Sequence, residues 1–132
     1  MEFSYKNKTY VVGSLDTFTQ LNIARKITPA MPLVDGLVKT ANAEKDLSLL
    51  FLMALSQLDD QASEFVMRTC LKAVSVKQET GWAKVASPQG ELMFADLTVQ
   101  ELLHLVVKVI EVHLGDFFRT ALGSLATSGA AV

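Results

Sequence analysis

Residues 98–119, TVQELLHLVVKVIEVHLGDFFR, constrain the fold of this chain more than any other stretch. Thr98 and Glu101 stand three apart ahead of an apolar run, the spacing of a capping box that opens a helix. At 100° per residue Glu101, His104, Lys108 and Glu111 fall on one narrow polar stripe, read as the solvated face. Val99, Leu102, Leu103, Leu105, Val106, Val107, Val109, Ile110, Val112, Leu114 and Phe117 fill the remaining arc of roughly 220°, wider than a surface helix needs. Such a helix is either central to its domain or shared with a neighbouring chain.

A second stretch makes the same demand. Over residues 45–57, Leu47, Leu49, Leu50, Phe51, Leu52, Met53 and Leu55 point all around a helix, which must then be covered on every side by its own domain or by a partner.

The remaining elements are shorter. Phe3 and Tyr5 alternate against Tyr10 and Val12 around Lys6-Asn7-Lys8, the period-two pattern of a hairpin over residues 2–12, which Gly13 ends. Thr17 and Gln20 suggest a capping box for a helix over about 15–27. Thr28-Pro29 and Met31-Pro32 stop it, because proline lacks the amide hydrogen and disfavours α geometry in the residue before it. A short helix restarts at Leu33 and fades by Asn42. Asp59 or Asp60 caps another, with Gln61, Glu64, Arg68 and Lys72 outward and Phe65, Val66, Cys70, Leu71 and Val74 inward. Trp82 and Val85 precede Ser87-Pro88-Gln89-Gly90, and Leu92 and Phe94 follow, which predicts a central hairpin turning at 87–90. The expected fold is α+β and predominantly helical: four to five helices with short N-terminal and central β-hairpins. One globular domain spans 1–122, and residues 123–132, small and without pattern, form a disordered tail.

Composition then limits function. A formal net charge of -2 with interspersed signs offers no basic face for nucleic acid. The apolar stretches fall short of the roughly 20 residues that cross a bilayer, so no membrane role is expected. The single cysteine, Cys70, has no disulfide partner within the chain, and the polar opening lacks a signal segment, which suggests an intracellular location. Half of the residues are hydrophobic and only 20% are charged, more apolar surface than one small core requires.

Catalytic and metal chemistry find little support. His104 and His113, nine residues apart, lie on roughly opposite sides of one helix and cannot share a metal. His113 with Asp116 could be an oriented imidazole pair. A helix-end histidine bonded to a carboxylate or backbone carbonyl is the better reading, since no nucleophile can be placed beside it. Cys70 reads as a small buried hydrophobe. Trp82 is either a stacking ring or binding hot spot, or, as hairpin tryptophans more often are, part of its own core. No cofactor motif is present, and the expected mode of action is binding other chains.

Several strings then point to a family: FSYKNKTYVV at 3–12, ARKITP at 24–29, FVMRTCLKAVSVKQ at 65–78, GWAKV at 81–85 and, most characteristic, GELMFADLTVQELLHLVVKVIEVHLGDFF at 90–118. In order and spacing they resemble the phage tail assembly chaperones, small proteins encoded upstream of the tape-measure protein in long-tailed phages and prophages. The resemblance extends to about Phe118. An asparagine is common in that family where His113 stands here, in keeping with a hydrogen-bonding role at a helix end. The resemblance implies a non-enzymatic protein in the cytoplasm of the bacterial host. It would coat the tape-measure protein, help recruit tail-tube protein and leave the finished tail. The surplus apolar surface makes Leu49, Leu52, Leu102, Leu105, Val109 and Val112 the candidate partner-binding residues, and self-association into a homo-oligomer is expected. A structural tail completion or connector protein with a permanent interface is the alternative.

Overall fold

The computed structural model describes residues 1–30 and 48–131. The helix expected over 33–42 lies outside them.

The chain opens as a hairpin of β1 (Glu2–Tyr5) and β2 (Lys8–Val12). Its two-residue turn holds Lys6 at φ 49° and Asn7 at φ 65°, the left-handed pair that matches the twist of the flanking strands and that asparagine tolerates well. Pairing Phe3 with Tyr10 and Tyr5 with Lys8 puts Phe3, Tyr5, Tyr10 and Val12 on one face, as their alternation predicts. After Asp16 comes α1 (Thr17–Ile27). Its cap is Asp16, whose carboxylate accepts from the Thr19 amide at 2.7 Å, and not Thr17. Gln20 instead donates back to the Leu15 carbonyl at 2.7 Å. A carboxylate at the earlier position satisfies the first orphan amides and adds favourable charge at the positive helix end.

Two helices follow, α2 (Ser48–Leu55) and α3 (Asp60–Leu71). Asp59 caps α3, accepting from the Ala62 amide at 2.7 Å. Gln61, Glu64, Arg68 and Lys72 lie exposed along its outer side, as the polar stripe predicts. The helix stops at Leu71, so Val74 is not on its inner face but opens β3 (Val74–Gln78), which runs antiparallel beside β2.

β4 (Gly81–Lys84) closes the sheet in the order β1-β2-β3-β4. The central hairpin therefore turns at Glu79-Thr80, with Gln78 opposite Gly81, and not at 87–90. Val74 and Val76 find their same-face partners in Val85 and Ala83, so the alternation is complete before Ser87 is reached. Residues 87–90 make a smaller loop beyond the strand, held by the Ser87 amide on the Glu91 carbonyl and the Gly90 amide on Ser87, both 2.8 Å.

The last and longest helix, α4 (Val99–Ala131), continues well past the expected end near 119, and its backbone is helical across 123–131, where the patternless sequence suggests a disordered tail. It packs against α2, α3 and β2. Leu103, Leu105, Val106, Val107, Val109, Leu114 and Phe118 are buried around more than one side of it, which is why its apolar arc is so wide. One face of the sheet, with Tyr10, Val12, Val74 and Val76, joins this core. The other face carries Ser4, Lys77, Trp82 and Lys84 and is exposed.

Candidate partner-binding surface

The polar stripe of α4 is not a solvated face. The β1–β2 hairpin lies against it. Thr98 accepts from the Glu101 amide and donates to its Oε1, both at 3.1 Å, a side-chain-closed version of the capping box. Glu101 is only 6% exposed, and its Oε2 accepts from Lys8 Nζ at 3.1 Å and from the Tyr10 hydroxyl at 3.3 Å. Asp96 stands 3.8 Å from the same ammonium. One turn on, His104 stacks on Tyr5 with ring centroids 3.8 Å apart, and Lys108 lies over the Phe3 ring at 5.8 Å. Lys6 donates to Gln100 at 2.6 Å.

These contacts fix protonation states. Burial pushes the Glu101 carboxyl up, but the hydrogen bonds from Lys8 and Thr98 and the charge of Lys8 outweigh it and hold the group below its ordinary value. Burial first, then the charge and hydrogen bond of Glu101, push Tyr10 up to about 12. A carboxylate with its lone pairs engaged by three donors is a clamp between hairpin and helix, not a free general base.

The other polar candidates are equally occupied. His113 Nε2 lies 2.8 Å from the Gly13 carbonyl, a backbone partner as expected, although the residue sits in the middle of α4 and not at its end, because the helix continues to Ala131. Asp116 pairs with Arg119 at 2.7 Å instead of orienting that ring. Burial pushes the Cys70 thiol far up, so it stays protonated and packs as a hydrophobe. Among the described residues no three His, Cys, Asp or Glu side chains come together as a metal site.

Apolar surface remains. On α2, Phe51, Ala54 and Leu55 are buried while Leu49, at 69% exposure, Leu52, at 47%, and Met53 share the outer side. On α1, Phe18 and Leu21 are exposed one turn apart, opposite the buried Ile23, Ala24 and Ile27. Phe117 is exposed beside buried Phe118 on α4. The six candidate contact residues thus separate. Leu49 and Leu52 are on the surface, Leu102 and Val112 are half-buried, and Leu105 and Val109 lie fully inside the chain's own core. Phe18, Leu21, Met53 and Phe117 were not among those candidates. The spacing of Phe18 and Leu21 one turn apart, out of phase with Ile23 and Ile27, was the available signal.

Leu102 also lines an open groove of about 350 Å³, with Met67, Leu71 and Leu92 as its other apolar walls. Arg68 crosses the rim, donating to Glu64 at 2.8 Å and to the Gly90 carbonyl at 2.7 Å, and so pins the 87–90 loop to α3.

Helices α1, α2 and α4 thus each turn one apolar side to the core and leave apolar residues open on another, and no helix among the described residues is long and apolar enough to cross a membrane. No curated protein and no solved structure matches the chain. A protein-family profile, described as phage tail assembly chaperone protein, TAC, matches residues 6–126. That span runs from the first hairpin turn through all of α1, α2 and α3, the β3–β4 pair and most of α4. The elements that form the clamp, the core and the exposed apolar faces are therefore those of a known kind of protein, and the chain belongs to the phage tail assembly chaperone family.

Proposed function

We propose that this chaperone binds the phage tape-measure protein and keeps it soluble during tail assembly by covering its apolar helical surface. The observation that carries this reading is the outer side of α2, where Leu49, Leu52 and Met53 face away from a core that the same helix enters through Phe51, Ala54 and Leu55. Leaving such residues in water is unfavourable, and covering a few hundred Å² of apolar surface is worth on the order of 5 kcal/mol at roughly 25 cal/mol per Å². A long helical partner with its own apolar stripe fits a helical face of this kind. The same surface accounts for self-association of the free protein, with copies covering one another until the partner is available. In this reading the protein works in the cytoplasm of the bacterial host by binding alone, without nucleic acid or membrane, and tail-tube subunits displace it.

Co-expression with the tape-measure protein of the same genome tests the proposal. The chaperone should raise the partner's soluble yield and co-purify with it at both low and moderate salt, since screening weakens exposed ion pairs far more than apolar burial. A partner that stays insoluble, with no complex at either salt level, would refute it. Retention of the chain in purified virions would instead assign it a permanent structural place in the tail.

A further inference from the structure

The free edge of the sheet carries a second, chemically different surface. Trp82 is the only tryptophan of the chain, and at 47% exposure it is not part of the core. It stands opposite Lys77 on the outer face of the sheet, and Lys84, two residues on, shares that face opposite Ser75. Neither lysine has a carboxylate partner among the described residues. Lys84 only reaches the Lys72 carbonyl, at 3.4 Å.

The backbone beside this ring is open. The Val85 amide donates to Val74 at 3.0 Å, and hydrogen-bonded pairs alternate with unbonded ones along an antiparallel ladder. Ala83 and Gly81 therefore turn their amides and carbonyls towards β3, and Trp82 and Lys84 turn theirs outward. Among the described residues no strand lies beyond β4. An edge of this kind is a template for another strand unless charge discourages it. A second copy pairing through β4 would set Lys84 against the Lys84 or the Trp82 of the other chain, and neither supplies a carboxylate. A strand with carboxylates on the matching face would meet the Lys84 ammonium and an exposed aromatic ring, a residue type enriched in binding hot spots, with the Lys77 ammonium one strand further in behind that ring.

We infer that β4 accepts an extended acidic segment of a partner protein, added as a fifth strand and held by the backbone groups of Trp82 and Lys84, the ring of Trp82 and the charges of Lys77 and Lys84. This surface is distinct from the α2 face and does not depend on the identity of the partner that covers that face.

The sole tryptophan reports occupancy directly. The full-length protein is titrated with a short capped peptide of alternating glutamate and valine, with its lysine counterpart, and with the acidic peptide N-methylated at the alternate amides that would face β4. The acidic peptide should shift Trp82 emission saturably to shorter wavelength. N-methylation should weaken binding at least about tenfold by removing the ladder bonds, and the lysine peptide should produce no shift. Lys77→Glu with Lys84→Glu, both surface changes whose folding is checked by circular dichroism, should reverse the preference. No saturable shift, equal response to both charges, or full binding of the methylated peptide would each overturn the inference. An emission shift that follows protein concentration alone would give the edge to a second copy and overturn it as well.

Discussion

The Tyr10 hydroxyl and the Glu101 carboxylate meet at 3.3 Å in a buried position, joining the second strand of the sheet to the first turn of the longest helix across 91 residues of sequence. Lys8 and Thr98 complete the same cluster. It fixes the N-terminal hairpin on α4 and so sets the orientation of the sheet against the helical layer. Its charges also make the fold respond to pH at both ends of the scale.

On the acid side the relevant group is Glu101, whose carboxyl is held below its ordinary value in the fold. Its contribution is fully present above the unfolded-state value, about 4.3 for glutamate, and is lost as pH falls through the lower folded-state value. Glu101→Gln should therefore lower the urea midpoint at neutral pH and flatten its decline below about pH 5. Parallel acid limbs in the two proteins would show that the clamp does not couple protons to folding.

On the alkaline side the sign is set by Tyr10, pushed up from 10.0 to about 12 in the fold. Its raised value favours the folded state's neutral phenol, so stability is unaffected below pH 10 and falls as pH rises from there through 12. Tyr10→Phe should lose less stability than the parent between those limits. The difference between the two denaturation midpoints across that range is the measurement, and a constant difference would contradict it.

Thr98→Ala should destabilise the fold by about 1 kcal/mol, because the Thr98 oxygen accepts from the Glu101 amide and its hydroxyl orients the Glu101 carboxylate. An unchanged urea midpoint would mean that the start of α4 is held by Lys8 and Tyr10 alone.

Gly90→Ala should cost about 1–3 kcal/mol. Gly90 sits at φ +82°, and a Cβ there would lie 2.9 Å from the Cβ of Arg68. Since Arg68 also holds the Gly90 carbonyl, the loop cannot move aside without breaking that bond. Thermal unfolding at an unaltered temperature would show that the loop relaxes freely.

Local chemistry was legible in the sequence where one element sufficed to decide it. The first hairpin, the Asp59 cap and the Thr98–Glu101 pair all depend on neighbours close in sequence. What was not legible depended on distant partners. Periodicity places Glu101, His104 and Lys108 on one face, but it cannot reveal that Lys8, Tyr5 and Phe3 cover that face, because the hairpin approaches from the other end of the chain. A polar stripe looks the same whether water or a strand with lysine and tyrosine lies over it. The displaced central turn has a similar origin. Ser-Pro-Gln-Gly has the stronger turn composition, yet pairing of Val76 with Ala83 settles the register earlier, at Glu79-Thr80. The division of the partner candidates also required the fold, since the wide arc of α4 is filled mostly by this chain's own sheet and helices.

That division yields the most discriminating prediction. Leu105 is fully buried in α4 and Leu52 is 47% exposed on α2, although both belong to apolar runs of similar character. Leu105→Ala removes packing on all sides and should cost about 2–5 kcal/mol. Leu49→Ser with Leu52→Ser removes surface side chains and should change stability by no more than roughly 0.5 kcal/mol each. If the outer side of α2 is the binding face, the double variant keeps its urea midpoint and yet fails to co-purify with the tape-measure protein, and its own self-association weakens in sedimentation. Leu105→Ala should show the opposite pattern, with a much lower midpoint but retained binding at temperatures where it remains folded. A stable double variant that still captures and solubilises the partner would remove α2 from the interface, and the exposed Phe18 and Leu21 of α1 would become the next face to substitute.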